Sequence, residues 1–191
     1  MINYPETFIN KKGRFIGNVS HSIKYFKDLK NLYLNDDIDD SCKMYEVFLD
    51  ESSEDELVFG TTIIYPILIQ NEFNFTRGHF HENRNKGEYY IGYKGEGLLA
   101  LMDENQKVSF TYVYPGSINY ISGKYAHRLI NIGDEEFITH AYFSKEAGHD
   151  YDSVTNMPFN IRVLKEDDSI VFADENNNVL EKIRRDVSEQ L

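Results

Sequence analysis

Hydrophobic positions along this chain fall in short runs rich in β-branched and aromatic side chains, at 43–49, 57–65, 73–81, 88–93, 97–102, 107–113, 117–121, 127–132 and 137–143. Turn-forming clusters cut the runs apart: Lys94-Gly95-Glu96-Gly97, Asp103-Glu104-Asn105, Pro115-Gly116 and Gly133-Asp134. Many short strands at close spacing, with no helix between them, predict an antiparallel sandwich or barrel. Further strands are expected at 160–164 and 169–173. A short helix is expected at 22–29, started by Ser20 or Ser22, and a helical tail at 174–191 from the spacing of Val179, Leu180, Ile183 and Val187. Residues 50–56 read as a solvated acidic loop between strands.

No Pro-, Gly- or Ser-rich linker divides the 191 residues, so one domain is expected over 1–191. Its barrel core spans about 43–165, with an N-terminal extension at 1–42 and the tail at 174–191. Composition agrees with a folded β-rich chain: 41% is apolar and 14% aromatic, with 14 Tyr, 13 Phe and no Trp. The formal charge of −12 repels phosphodiester backbones and anionic headgroups, which argues against nucleic-acid and membrane partners. An anionic substrate would need a local positive site, which a bound metal could supply. Cys42 is the only cysteine, so neither an internal disulfide nor a thiolate metal cluster is available. The N-terminus lacks a basic n-region and an apolar h-region, and no apolar run approaches the ~20 residues that span a bilayer; the cytoplasm is the expected compartment.

Candidate chemistry concentrates in Thr76-Arg77-Gly78-His79-Phe80-His81, followed after six residues by Glu88. Residues two apart on a strand share a face, so His79 and His81 project together while Phe80 enters the other layer. Glu88 opens the next strand and His127 a later one. Three neutral imidazoles and one carboxylate facing a barrel interior make a divalent-metal site with room for water or substrate oxygens. A lone histidine is more often an ordinary core or surface residue, and His21 and His140, which fall in no motif, are read that way.

His79-x-His81-x6-Glu88-x6-Gly95 and Gly116-x10-His127-x3-Asn131 resemble the two signature motifs of the cupins. With Tyr45-Glu46-Val47, Thr61-Thr62, Tyr65-Pro66, Ala126-His127-Arg128, Asn131-Ile132-Gly133-Asp134-Glu135 and Ala147-Gly148-His149-Asp150-Tyr151, the chain is similar to the cupin-type glucose-6-phosphate isomerases of archaea and some bacteria. The resemblance implies a mainly β cupin jelly-roll barrel and one divalent ion (Fe, Mn, Ni or Zn) on His79, His81, Glu88 and His127. It further implies that Tyr90, His149 and Tyr151 line the pocket near the sugar and that Tyr45, Thr62, Thr76 and Gly78 hold the substrate phosphate. A cytoplasmic homodimer acting on a sugar phosphate completes the expectation. Two positions depart from the family: Ser122-Gly123 stands where a proline pair is usual, and Phe143 where a tyrosine is expected near the phosphate.

For aldose–ketose isomerisation, metal charge would oppose the build-up of negative charge on O1 and O2 of the open sugar. In a proton-transfer route Glu88 is the base; a hydride shift between C1 and C2 needs no such base. His149 and Tyr151 are candidates for ring opening. A Thr76 hydroxyl and a Gly78 N–H are adequate phosphate donors, whereas Arg77 alternates away from that face. The competing readings are a non-catalytic metal- or sugar-binding cupin and a cupin dioxygenase.

Overall fold

A computed structural model describes residues 2–50 and 57–185, so most of the expected acidic loop lies outside the described residues. The chain forms strands β1 (Phe8–Ile9), β2 (Phe15–Ile16), β3 (Ser20–Tyr25), β4 (Lys43–Asp50), β5 (Leu57–Ile64), β6 (Leu68–Ile69), β7 (Glu72–Phe73) and β8 (Glu88–Lys94). These are followed by β9 (Gly97–Met102), β10 (Val108–Val113), β11 (Ile118–Ile121), β12 (Ala126–Asn131) and β13 (Phe137–Ser144). Helix α1 (Tyr151–Asn156) precedes β14 (Ile161–Glu166), β15 (Ser169–Asp174) and β16 (Val179–Arg184). The expectation of a mainly β chain built from antiparallel sheets holds.

The largest sheet has the order β11-β8-β13-β5-β4-β3. A three-stranded sheet, β10-β9-β12, a five-stranded one, β16-β15-β14-β7-β6, and the small β1-β2 pair make up the rest. One apolar cluster joins the sheets, including Met44, Ile64 and Tyr90 from the first, Leu98, Leu99 and Leu129 from the second, and Phe73, Val163 and Ile170 from the third. Alternation sets which side chains enter it. Along β8, Glu88, Tyr90 and Gly92 are buried whereas Tyr89 and Tyr93 are exposed, as a pleated strand with one wet face requires.

Three expectations need correction. Residues 22–29 are not a helix: Ser20–Tyr25 pair with β4 and only Phe26–Asp28 make a single 3₁₀ turn. A six-residue ladder on the free edge of β4 satisfies more backbone groups than a serine cap could, so the sheet begins within the supposed N-terminal extension. The tail is likewise a strand over Val179–Arg184, because buried β15 would otherwise present an unpaired edge. The signal for its hairpin was the turn Asp174–Asn178, where Asp174 Oδ1 accepts the Asn176 and Asn178 N–H groups at 2.9 and 2.8 Å and Asn177 takes φ of 62°. Residues 186–191 of the expected helix lie outside the described residues. Finally, 73–81 is not one regular strand, for a reason that shapes the site. Among the described residues no helix is long and apolar enough to cross a membrane.

Candidate metal centre and sugar pocket

Residues 74–80 run antiparallel to β12 and carry a bulge. Phe75 pairs with Ile130, but His79 pairs with His127, one residue out of that register. Arg77 and Gly78 therefore oppose Arg128 together, two residues against one. Gly78 takes φ of +79°, and a Cβ there would lie 2.9 Å from the His127 carbonyl oxygen, so no larger residue fits this turn. Arg128 secures the bulge from the partner strand. Its guanidinium donates to the Arg77 carbonyl at 2.8 Å and is sandwiched between the Phe75 and Phe159 rings at 4.2 and 4.5 Å. Burial lowers its pKa to about 10, which leaves it cationic at neutral pH. The extra residue turns Thr76 and His79 onto the same face although they are three apart, and both line one cavity.

At that cavity the nearest ligand-type atoms of His79, His81, Glu88 and His127 all lie within 4.8 Å of one another. His81 donates from Nδ1 to the Lys86 carbonyl at 2.7 Å. A carbonyl only accepts, so Nδ1 carries the proton and Nε2 turns its lone pair inward, the usual orientation of a metal-binding imidazole. The segment 82–87 between His81 and Glu88 thus fixes a tautomer. His127 Nε2 stands 2.6 Å from Glu88 Oε1, yet neither atom has a hydrogen-bond partner, and His127 Nδ1 also lacks one. Orphaned buried polar atoms are rare, and two that converge are suited to binding one cation jointly.

Electrostatics point the same way. Burial alone would raise the Glu88 carboxyl, but the charge of the surrounding imidazoles, His127 first, outweighs it and holds the pKa well below the usual carboxylate range. His79 is pushed well below the ordinary imidazole value by burial and by its neighbours His127 and His149. His81 is opposed by burial but raised on balance by the Glu88 carboxylate. An anionic carboxylate among imidazoles presenting lone pairs is a donor set for a divalent ion without soft preference.

The cavity of about 190 Å³ gathers all the other expected site residues: Tyr45, Thr62, Thr76, Gly78, Tyr90, His149 and Tyr151. His149 and Tyr151 stack at 5.9 Å between ring centroids, and His149 lies 4.4 Å from His79. Burial depresses the His149 pKa and raises those of Tyr151 and Tyr90, the last with help from the Glu88 charge. Segment 82–87 positions this arm too. Arg84 bonds Asp150 Oδ2 at 2.8 Å, Asn83 N–H reaches the Ala147 carbonyl at 2.9 Å, and Asp150 caps α1 by accepting from Ser153 N–H at 2.9 Å. The Tyr45 hydroxyl accepts the Arg77 N–H at 3.4 Å, between Thr76 and Gly78 in sequence. Arg77 itself donates to the Thr155 hydroxyl at 3.1 Å, turned away from the histidine face by the bulge rather than by regular alternation.

Sequence reasoning missed two contributors. Ser22 and Lys24 of β3 line the cavity; Phe143, already marked near the phosphate, lines it too and meets the His149 ring edge to face. No signal marked β3, because polar residues 1–42 read as an extension. His21 and His140 stay outside the site: His21 bonds Glu46 at 2.7 Å, and His140 is buried against Thr61 at 2.9 Å.

Four buried or nearly buried residues that could hold a metal ion, set in an antiparallel β scaffold beside a pocket with hydroxyl and N–H donors, are the class of site defined here. The sequence model of the glucose-6-phosphate isomerase (GPI) family matches residues 23–181. The chain is 33% identical over 184 residues to the glucose-6-phosphate isomerase of Thermococcus litoralis, covering 91% of this chain and 97% of that one. It is 38% identical over 133 residues to that of Pyrococcus horikoshii, covering 69% and 70%. The chain belongs to the glucose-6-phosphate isomerase family and is an enzyme of the aldose–ketose isomerase kind.

Proposed function

We propose that this protein is a metal-dependent isomerase that interconverts glucose 6-phosphate and fructose 6-phosphate, with one divalent ion on His79, His81, Glu88 and His127. The observation that carries this reading is the convergence of His127 Nε2 and Glu88 Oε1 at 2.6 Å with neither atom hydrogen-bonded, within a four-residue donor set. When bound, the ion supplies positive charge opposite the oxygens on C1 and C2 of the open sugar, where negative charge develops.

The chain's own residues do the rest. The Glu88 carboxylate, kept ionised by its imidazole neighbours, takes the proton from C2 of the aldose, or from C1 of the ketose, and returns it to the adjacent carbon. Tyr90, beside Glu88 and held protonated by burial, donates a hydrogen bond to a sugar oxygen. His149, neutral because burial disfavours its cation, and Tyr151, stacked on it, handle the ring-opening proton at the ring oxygen and the anomeric hydroxyl. Thr76, Gly78, Tyr45 and Thr62 line the same cavity, and their hydroxyl and N–H groups are the donors this reading gives to the phosphate oxygens. Phe143 closes the wall and excludes water. A cytoplasmic homodimer belongs to the same reading. A coupled assay of glucose 6-phosphate formation from fructose 6-phosphate tests the assignment: turnover of the phosphate ester, with little on free fructose, is expected, and equal rates on both sugars contradict it.

A further inference from the structure

A dianionic substrate must enter a protein of net charge −12, yet none of the phosphate donors named so far carries a positive charge. The cavity lining includes one ammonium and one carboxylate. The carboxylate is Glu88, at the metal end; the ammonium is Lys24, on β3. The sheet register orders them. Lys24 pairs with Tyr45, and Ser22 pairs with Val47, which pairs in turn with Thr62. Directly paired residues on neighbouring strands project from the same face, so Lys24 and Ser22 extend the row of Tyr45 and Thr62 across the sheet edge. Glu88 sits four strands away, on β8.

Lys24 also differs from its basic neighbours. Lys43 bonds Glu46 at 3.2 Å and Lys30 bonds Asp40 at 3.2 Å, whereas among the described residues no carboxylate lies within ion-pair distance of Lys24. Arg128 is spent on the bulge carbonyl, and Arg77 on Thr155. A cation left unneutralised in an acidic chain, on the wall of a cavity and beside hydroxyl groups, has the chemistry of an anion receptor.

We infer that Lys24 is the cationic residue of the phosphate subsite, contributed by the N-terminal strand β3, and that it selects phosphorylated over neutral sugars. The inference rests on the sugar-phosphate reading of the pocket. Its ammonium offers hydrogens to the phosphate oxygens across the mouth, opposite Thr76 and Gly78, and a long flexible stem lets it follow the ester in. Because the interaction is made equally before and during the reaction, its loss should appear in KM and not in kcat.

The test compares the metal-loaded wild type with Lys24→Gln and Lys24→Arg. Inorganic phosphate binding is read by calorimetry, fructose 6-phosphate kinetics by the coupled assay, and metal content by elemental analysis. For Lys24→Gln the expected result is phosphate affinity weakened and KM raised by about tenfold, the size of one lost charged hydrogen bond. Its kcat should stay within about twofold, its metal content should not change, and Lys24→Arg should fall within about threefold of wild type. Unchanged phosphate affinity and KM in Lys24→Gln overturn the inference, as does a loss confined to kcat. A wild type that binds phosphate through Lys24 but does not turn over fructose 6-phosphate would remove the isomerase reading while leaving the anion site. A wild type that turns over the ester with a Lys24-independent KM would do the reverse.

Discussion

The Glu88 carboxylate and the His127 imidazole approach to 2.6 Å without forming a hydrogen bond, and both are almost fully buried. His81 Nε2 lies 3.6 Å from the same carboxylate oxygen. So close a buried approach is unfavourable unless a proton lies between the two atoms or one cation is bound by both.

Glu88→Gln keeps the shape and removes the base. Turnover should fall by about 10²–10⁴-fold if proton transfer is the route. His127→Ala should reduce metal occupancy and turnover together. Retained metal with a rate only a few-fold lower in Glu88→Gln would point to a hydride shift instead. Reaction in deuterated water gives an independent reading: proton transfer places solvent deuterium on the product carbon, and a hydride shift does not.

Thr76 serves the scaffold as well as the pocket. Its Oγ1 accepts the Leu129 N–H at 3.1 Å while its own N–H donates to the Leu129 carbonyl at 2.9 Å. Thr76→Val should therefore orphan a backbone N–H, costing about 1–3 kcal/mol of stability, and should raise KM for fructose 6-phosphate. Thr76→Ser restores the acceptor and should recover both. Thermal midpoints and KM measured on the same preparations separate the two effects; a Thr76→Val protein with wild-type stability and KM would show that the hydroxyl does neither job.

How much of this was legible beforehand depends on whether the signal was local. The spacing of His79, His81 and Glu88 is a property of one stretch, and alternation on a pleated strand was enough to group the two histidines. The bulge at Gly78 was not legible, because a two-against-one register exists only between partners, and here the partner is Arg128, some fifty residues later. It mattered, since it brings Thr76 to the histidine face. β3 and β16 were misread as helices for a related reason: Ile23 and Val179 have mixed neighbours, and what makes them strands is an unpaired edge elsewhere in the fold. The pocket-facing side of Lys24 followed the same error, since a residue on a supposed helix outside the barrel has no reason to be near a substrate.

His140 gives a pH prediction away from the metal centre. Buried beneath Phe15, Phe59 and Tyr93, it has its pKa lowered by desolvation from 6.5 to about 4. A depressed imidazole stabilises the fold fully above the unfolded value, and that stability is lost as pH falls from about 6.5 through about 4, because the unfolded chain binds the proton first. The displacement amounts to up to about 3 kcal/mol. His140→Gln retains a partner for Thr61 but does not titrate, so its urea midpoint should change less than the wild type's between pH 7 and pH 4.5. Parallel pH curves for the two proteins would contradict the assignment.

The account stands most directly on the metal. Protein stripped by chelation, and shown by elemental analysis to carry none, should convert no fructose 6-phosphate, and adding one equivalent of divalent iron, manganese, nickel or zinc should restore turnover. Undiminished turnover by the verified metal-free protein would contradict it.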